Sequence, residues 1–261
     1  MQADERQSII DTAHALADAA RQAILPMFRS PLVAENKLEG GFDPVTAADR
    51  ASEQAMRDIL ATRRPGDAIL GEEFGPKPGT SGLTWVLDPI DGTRAFICGA
   101  PTWGVLVGVR DADGPVYGLI DQPHVGERFE GGFGRARLSG PRGETPLAVR
   151  QTADLSQATL MTTYPEVGTN AESAAFGRVA GRVRLTRYGM DCYAYALLAL
   201  GHVDLVIEAG LQAYDIVAPM AVVRAAGGIV TDWQGGDPSA GGRVIAAATP
   251  ALHRAALDLL A

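Results

Sequence analysis

Residues 85–93 read WVLDPIDGT, and this run constrains the fold more than any other. Trp85, Val86 and Leu87 have the apolar density of a buried strand, and the strand then runs into Asp88 and Asp91. Two carboxylates this close repel each other unless a proton or a cation lies between them. Pro89 stiffens the turn, and Gly92-Thr93 follows. A helix starting there would aim backbone N–H groups at a bound anion. Two readings stay open on these residues. The segment is a solvated acidic turn that caps a helix, or it holds a cation with its carboxylates and phosphate with its amides.

Other acids stand in similar places. Glu72 and Glu73 end a predicted strand within GEEFG, and Asp215 opens a late helix within AYDIVAP. A first-turn acid is favoured by the helix dipole alone. Asp49 lies three residues after Thr46, the spacing of a capping box. Each acid has a local explanation, but together they offer an oxygen-only donor set of the kind that hard cations such as Mg²⁺ take. The sequence has no phosphate-binding P-loop, no G-x-G-x-x-G, no G-x-S-x-G and no H-E-x-x-H. The residues therefore point to Mg²⁺-dependent chemistry on a phosphate.

Bulk properties narrow the partners. With 261 residues the chain can bury a sizeable core. Its formal net charge of -8, with no long basic run, speaks against nucleic acid or an anionic membrane. Cys98 and Cys192 are the only cysteines, and His14, His124, His202 and His253 are scattered. That excludes a disulfide framework and a zinc site, and it suits a reducing cytosol. The start, MQADERQSII, is polar and partly acidic, unlike a secretory leader. The uncharged stretch from Ala95 to Val109 is too short to span a bilayer and is broken by Gly99, Pro101 and Gly104.

Periodicity predicts a first amphipathic helix ending near Phe28, a charged Gly-rich loop over ENKLEGGFDPV with Lys37 solvated, and a helix over TAADRASEQAMRDIL. From Trp85 to about Val149 the pattern is that of an antiparallel meander. Strands over QATLMTTYP, RVRLTRY, VDLVIEA and RVIAAA then alternate with helices over NAESAAFGRVAG, DCYAYALLALG, YDIVAPMAVVRAAGG and PALHRAALDLLA. An α+β part, residues 1–149, thus precedes an α/β part, residues 150–261, with a cleft expected between them in one compact body.

DPVTAAD (43–49), GEE (71–73), WVLDPIDGT (85–93) and YDIVAPMAVVRAAGG (214–228) resemble, in order and separation, the four motifs of the inositol monophosphatase superfamily. PVYGLIDQP, RVRLTRYGMDCYAYALLALGHVDLVIEAGLQAYD and GGIVTDW resemble its histidinol-phosphatase branch, with DCYAY followed by VDLVIEAGL the most telling part. Met190 and Pro219 depart from the pattern, and Pro219 is expected to kink its helix by removing a backbone donor.

The resemblance implies a layered α-β-α-β-α sandwich of the inositol monophosphatase fold and a cytoplasmic homodimer. It implies two or three Mg²⁺ ions. Glu72, Asp88 and the carbonyl of Ile90 would hold the first, Asp88, Asp91 and Asp215 the second, and Glu72 with water a third. Asp49, Thr93 and Glu72 would be the catalytic set, with Asp49 and Thr93 orienting the attacking water, and the amides of Gly92 and Thr93 would bind phosphate. The implied reaction is direct hydrolysis of L-histidinol phosphate to L-histidinol and phosphate. The same chemistry on an inositol, sugar or nucleotide 3′-phosphate is the alternative, and a non-catalytic metal-binding scaffold is a more distant one.

Asp191 and Glu208 are the candidates to read the ammonium of histidinol phosphate. Asp191 could instead cap a helix starting at Cys192, and Glu208 could form a strand-end salt bridge. Arg187 would contact phosphate or pair with an acid. Cys192 is expected to face the core, with nothing nearby in sequence to activate it as a nucleophile.

Overall fold

The structure is a computed structural model that describes residues 1–31, 35–36 and 44–261. Lys37 and most of the loop expected around it lie outside the described residues. The first helix, α1 (Ala3–Ile24), buries Ile9, Ala13, Leu16, Ala17, Ala20 and Ile24 at helical spacing. It ends at Ile24, short of Phe28, because Pro26 offers no amide N–H to carry the ladder on, although Leu25 keeps helical angles and the Phe28 N–H still reaches the Ile24 carbonyl at 3.2 Å. A two-residue ladder of β1 (Glu35–Asn36) and β2 (Pro44–Val45) leads into α2 (Ala47–Arg63). Thr46 caps α2, and the Asp49 carboxylate accepts the Thr46 N–H at 2.8 Å, completing the expected capping box.

The next strands are β3 (Ala68–Gly71), β4 (Gly75–Lys77) and β5 (Thr84–Asp91), followed by the short helix α3 (Thr93–Ile97). Then come β6 (Gly104–Asp111), β7 (Gly114–Gln122), β8 (Glu127–Gly132), β9 (Arg135–Gly140) and β10 (Gly143–Pro146). They form one sheet in the order β10-β9-β8-β7-β6-β5-β3-β4. From β5 to β10 it is an antiparallel meander, and β3 runs parallel to β5. Glycine-bearing turns between successive strands make the meander the short-range solution.

The second sheet is built from β11 (Thr159–Thr162), β12 (Leu185–Tyr188), β13 (Leu205–Gln212), β14 (Ile229–Asp232) and β15 (Gly241–Ala247), in the order β12-β11-β13-β15-β14. The helices among them are α4 (Asn170–Ala180), α5 (Tyr193–Ala199), α6 (Ala213–Ala225) and α7 (Pro250–Leu260).

Alternation along the strands sets the layers. On β6, Val105, Val107 and Val109 share a core with α1 and α2, whereas Leu106 faces α5 and α6. On the second sheet, Val206, Val244 and Ala246 face that same middle core, while Leu205, Ile207 and Ile245 pack against α4 and α7. The middle core lies on both sides of α5 and α6, so three cores fill the four interfaces of an α-β-α-β-α sandwich. Among the described residues, no helix is long and apolar enough to cross a membrane.

One packing detail positions the later chemistry. Gly108, Gly118 and Gly131 are direct cross-strand neighbours on β6, β7 and β8. A Cβ on Gly118 would stand 2.3 Å from the Ala218 carbonyl oxygen, and one on Gly131 would stand 2.5 Å from Val222 Cα. The row is a groove into which α6 sinks, and this carries the first turn of α6 to the end of β5. The helix continues through the buried Pro219 from Ala213 to Ala225.

Candidate active site

Asp88 pairs with Leu106 and Asp91 with Gly104, so β5 carries one more residue than β6 across this stretch. That is a β-bulge, a place where a strand tolerates a proline. The sequence suggested that the strand gives out at Asp88, but the bulge lets it run through Pro89 to Asp91. Asp215, in the first turn of α6, accepts the Gln212 N–H at 2.6 Å. The three acids converge: one carboxylate oxygen from each of Asp88, Asp91 and Asp215 lies within 4.8 Å of the others.

Glu72 follows β3 and donates its N–H to the Leu87 carbonyl at 3.2 Å, which brings it beside Asp88 on the neighbouring strand. The loop carrying it is clamped from below. The fully buried Glu53 of α2 accepts the N–H groups of Glu73 (2.7 Å) and Phe74 (3.2 Å). Arg57 donates to Glu53 at 2.7 Å and also to the Gly75 carbonyl. On the other side of the bulge, the Thr93 hydroxyl lies 3.1 Å from the Ile90 carbonyl oxygen and 3.3 Å from Asp49 Oδ1.

The electrostatics call for a positive charge. Burial pushes Asp88 well above the ordinary carboxylate range, and the charges of Glu72, Asp91 and Asp215 add to it. Burial does the same to Asp91, reinforced by Asp191 and Asp215, although the Cys192 N–H at 2.5 Å partly offsets it. Only protons or a cation can relieve such a set. Its donors are all oxygen, which fits a hard divalent cation and not a soft one.

These residues open into a cavity of about 260 Å³. Glu72, Asp88, Ile90, Asp91 and Asp215 line one end, with Gly92 and Thr93 beside them. Gly92 takes a left-handed φ of 86°, and a Cβ on it would come within 2.8 Å of the Asp191 carboxyl carbon. Asp191 and Glu208 line the same cavity. Asp191 does not cap α5. Its side chain lies over Gly92 and accepts from Thr102 at 3.5 Å. Burial raises it to about 6, against the pull of Thr102 and the Arg94 guanidinium. Glu208 makes no ion pair among the described residues. It accepts from the Thr162 hydroxyl (3.1 Å), the Thr163 hydroxyl (2.9 Å) and the Thr163 N–H (2.7 Å). Burial nevertheless raises it to about 7.

Arg187 lies elsewhere, and Cys192 faces the core as expected. Arg187 is not brought to this cavity: it stands exposed on the edge strand β12 and is not among the lining residues. Cys192 is buried, and burial together with Asp91 holds its thiol well above the usual range, so it stays protonated.

Sequence reasoning missed three residues here. Arg94 lines the cavity and donates to the Tyr164 hydroxyl at 2.7 Å, and Tyr164 lines it too. Tyr195, within the DCYAY element, has a buried hydroxyl with no hydrogen-bond partner among the described residues. Burial and the charges of Glu208, Asp91 and Asp215 keep that phenol neutral. Only Tyr195 had a sequence signal, its place in the branch-like element.

Comparison with known proteins bears on this geometry. Residues 5–261 match the model of the inositol monophosphatase family. The chain is 44% identical over 225 residues to the bifunctional phosphatase IMPL2, chloroplastic, of Arabidopsis thaliana, covering 85% of this chain and 63% of that protein's length. It is 35% identical to a histidinol-phosphatase of Mycobacterium tuberculosis, covering 78% and 79% of the two chains. It is 32% identical to the inositol-1-monophosphatase ImpA of Mycolicibacterium smegmatis, covering 97% and 92%. Among solved structures, an inositol monophosphatase from Zymomonas mobilis superposes with a TM-score of 0.87 at 40% identity, covering 100% of this chain and 99% of that one.

Proposed function

The chain belongs to the inositol monophosphatase family of phosphatases, and we propose that it hydrolyses L-histidinol phosphate to L-histidinol and phosphate with Mg²⁺ as cofactor. In this reading residues 1–149 supply most of the metal ligands, and residues 150–261 complete the site with Asp215, Asp191 and Glu208. Glu72, Asp88 and the Ile90 carbonyl would hold one ion, Asp88, Asp91 and Asp215 a second, and Glu72 a third. When bound, such ions lower the pKa of a water, neutralise the phosphate and stabilise the departing alkoxide.

The chain's own residues do the rest. A hydroxyl has one proton to give, and Thr93 has two acceptors, Asp49 and the Ile90 carbonyl. With that proton given to either, the Thr93 oxygen keeps lone pairs free to accept from the attacking water and fix its direction. Asp49 is itself immobilised by both the N–H and the hydroxyl of Thr46 (2.8 and 2.7 Å). The amides of Gly92 and Thr93 would hold phosphate oxygens. In this reading the attack on phosphorus is made directly by the water, with no phosphoenzyme, and the buried Cys192 takes no part.

The observation that carries the substrate assignment is the pair of carboxyls beyond the acidic cluster, Glu208 buried and Asp191 half-buried. Burying Glu208 with no cation beside it, and Asp191 with only the Arg94 guanidinium acting on it, is costly, and a substrate ammonium would offset that cost. A relative named histidinol-phosphatase at 37% identity in Streptomyces coelicolor supports the same reading. A polyol phosphate is the second reading. Carboxylates also accept hydroxyls, and one relative is named inositol-1-monophosphatase.

The test is phosphate release with Mg²⁺ from L-histidinol phosphate, inositol 1-phosphate, fructose 1,6-bisphosphate and a nucleotide 3′-phosphate, side by side. The proposal expects the highest kcat/KM on histidinol phosphate. A higher value on any other ester overturns the substrate assignment, and silence on all four with Mg²⁺ bound overturns the enzymatic reading.

A further inference from the structure

The acidic side of the cavity accounts for an ammonium but not for the rest of a histidinol-like substrate. Facing that need is an aromatic wall. Tyr164 is 42% exposed, yet it lines the same cavity as Asp191 and Glu208. Its position is fixed from two directions. It follows Thr163, whose N–H and hydroxyl both bind Glu208, at 2.7 and 2.9 Å. Its own hydroxyl accepts from Arg94 at 2.7 Å, and the guanidinium carbon lies 5.2 Å from the ring centre. Arg94 belongs to α3, next to Thr93, so the bond ties the helix that follows β5 to the loop after β11.

Phe74 and Tyr188 are exposed to a similar degree, but Tyr164 is the one of the three that lines this cavity. A ring that is fixed and open to a polar cavity is a stacking platform for another flat group. A polyol has no such group, whereas an imidazole does.

We propose that Tyr164, tethered by Arg94, is a specificity-determining residue: its ring is the wall on which the substrate's aromatic ring rests while Asp191 and Glu208 hold the ammonium. This rests on the histidinol-phosphate reading above. The spacing is natural for such a molecule, since the residue that binds Glu208 and the residue that offers the ring are consecutive in the chain. Tyr164 holds no metal in this scheme, so it acts on binding and not on the chemical step.

The experiment compares three phosphate esters that all carry the ammonium: L-histidinol phosphate, L-phenylalaninol phosphate and the ringless L-alaninol phosphate. Each is assayed with wild type, Tyr164→Leu and Tyr164→Phe, with Mg²⁺ saturating and inositol 1-phosphate as a further control. Tyr164→Leu should raise KM for the two ring-bearing esters about tenfold, leave their kcat within about twofold, and leave alaninol phosphate unchanged. Tyr164→Phe keeps the ring and should stay within about threefold of wild type on all three. Equal losses on ringed and ringless esters would assign Tyr164 a merely structural role and overturn the inference, with the parent reading intact. An unchanged KM for histidinol phosphate in Tyr164→Leu overturns it too. If wild type prefers inositol 1-phosphate to every amino-alcohol ester, the parent reading itself fails and the inference falls with it.

Discussion

Gly118→Ala adds one methyl group where α6 rests on the first sheet. The new Cβ would sit 2.3 Å from the Ala218 carbonyl oxygen and 2.9 Å from Ala221 Cβ. Ordinary non-bonded contact needs roughly 3.5 Å, so the helix must retreat by about 1 Å. Overpacking of this kind costs about 1–3 kcal/mol. For a chain of this size that lowers Tm by roughly 3–10 °C. Asp215 lies three residues before Ala218 on the same helix, so its carboxylate moves with it. A misplacement of about 1 Å in a catalytic constellation can cost about a hundredfold in rate. The assay is thermal unfolding without metal, then kcat/KM across a Mg²⁺ titration. Gly177→Ala is the control: it lies in α4 with nothing within 4 Å of its Cβ position, and it should gain up to about 1 kcal/mol. A Gly118→Ala protein with wild-type Tm and wild-type Mg²⁺ dependence would refute the claim that the glycine row sets the position of Asp215.

Three other outcomes are expected. Asp88→Asn should abolish turnover yet leave the metal-free Tm equal or higher, because it removes one of the repelling charges; measurable turnover above about 1% of wild type would remove Asp88 from the site. Glu53→Gln should lower stability by about 1–3 kcal/mol, because Arg57 loses its buried charge partner. It should also weaken Mg²⁺ binding measured by calorimetry, since the Glu72 loop is released, and unchanged affinity would show that the clamp is irrelevant to the site. For Glu130, burial pushes the pKa up, but hydrogen bonds from His14, Tyr117 and Arg137 outweigh it and bring it from 4.5 to about 2. A depressed carboxylate stabilises the fold above its unfolded value and loses that contribution as pH falls through its folded value. The stability gap between wild type and Glu130→Gln in urea should therefore be largest near pH 7, at most about 3 kcal/mol, and shrink between pH 4.5 and 2. A gap that does not change with pH would count against the network.

Much of the site could be read from the chain because its chemistry is local. Asp88 and Asp91 share one strand end, and the Thr46–Asp49 capping box is a four-residue pattern. What escaped was set by partners distant in sequence. The bulge at Pro89 depends on the register against β6, which no local pattern encodes. Gly108, Gly118 and Gly131 form a row only once β6, β7 and β8 are paired. Glu53 reads as one more acid on a polar helix, yet it is fully buried because the loop after β3 folds back over it. Arg187 was placed near the substrate by its neighbourhood in the sequence. The four-residue edge strand leaves it exposed, and among the described residues Arg94 is the cation that lines the cavity. The regular part of α1 ends before the periodicity does, because Pro26 has no N–H for the ladder and the chain runs on to Phe28 only as a turn.

In the proposed function one cavity holds metal at its acidic cluster and a substrate ammonium at Asp191 and Glu208. The most direct measurement is kcat/KM for L-histidinol phosphate against its deamino analogue, which keeps the imidazole and the phosphate but lacks the amine. Each is assayed with wild type and with the Asp191→Asn/Glu208→Gln double variant. Charge-assisted hydrogen bonds are each about 1.5–3 kcal/mol, so wild type should prefer the amine by about a hundredfold or more. The preference should also grow as pH rises from 6 to 8, because Glu208, raised to about 7, must ionise to hold a cation. The double variant should lose most of this discrimination while still hydrolysing the deamino ester. Equal rates on the two esters in wild type would contradict the account.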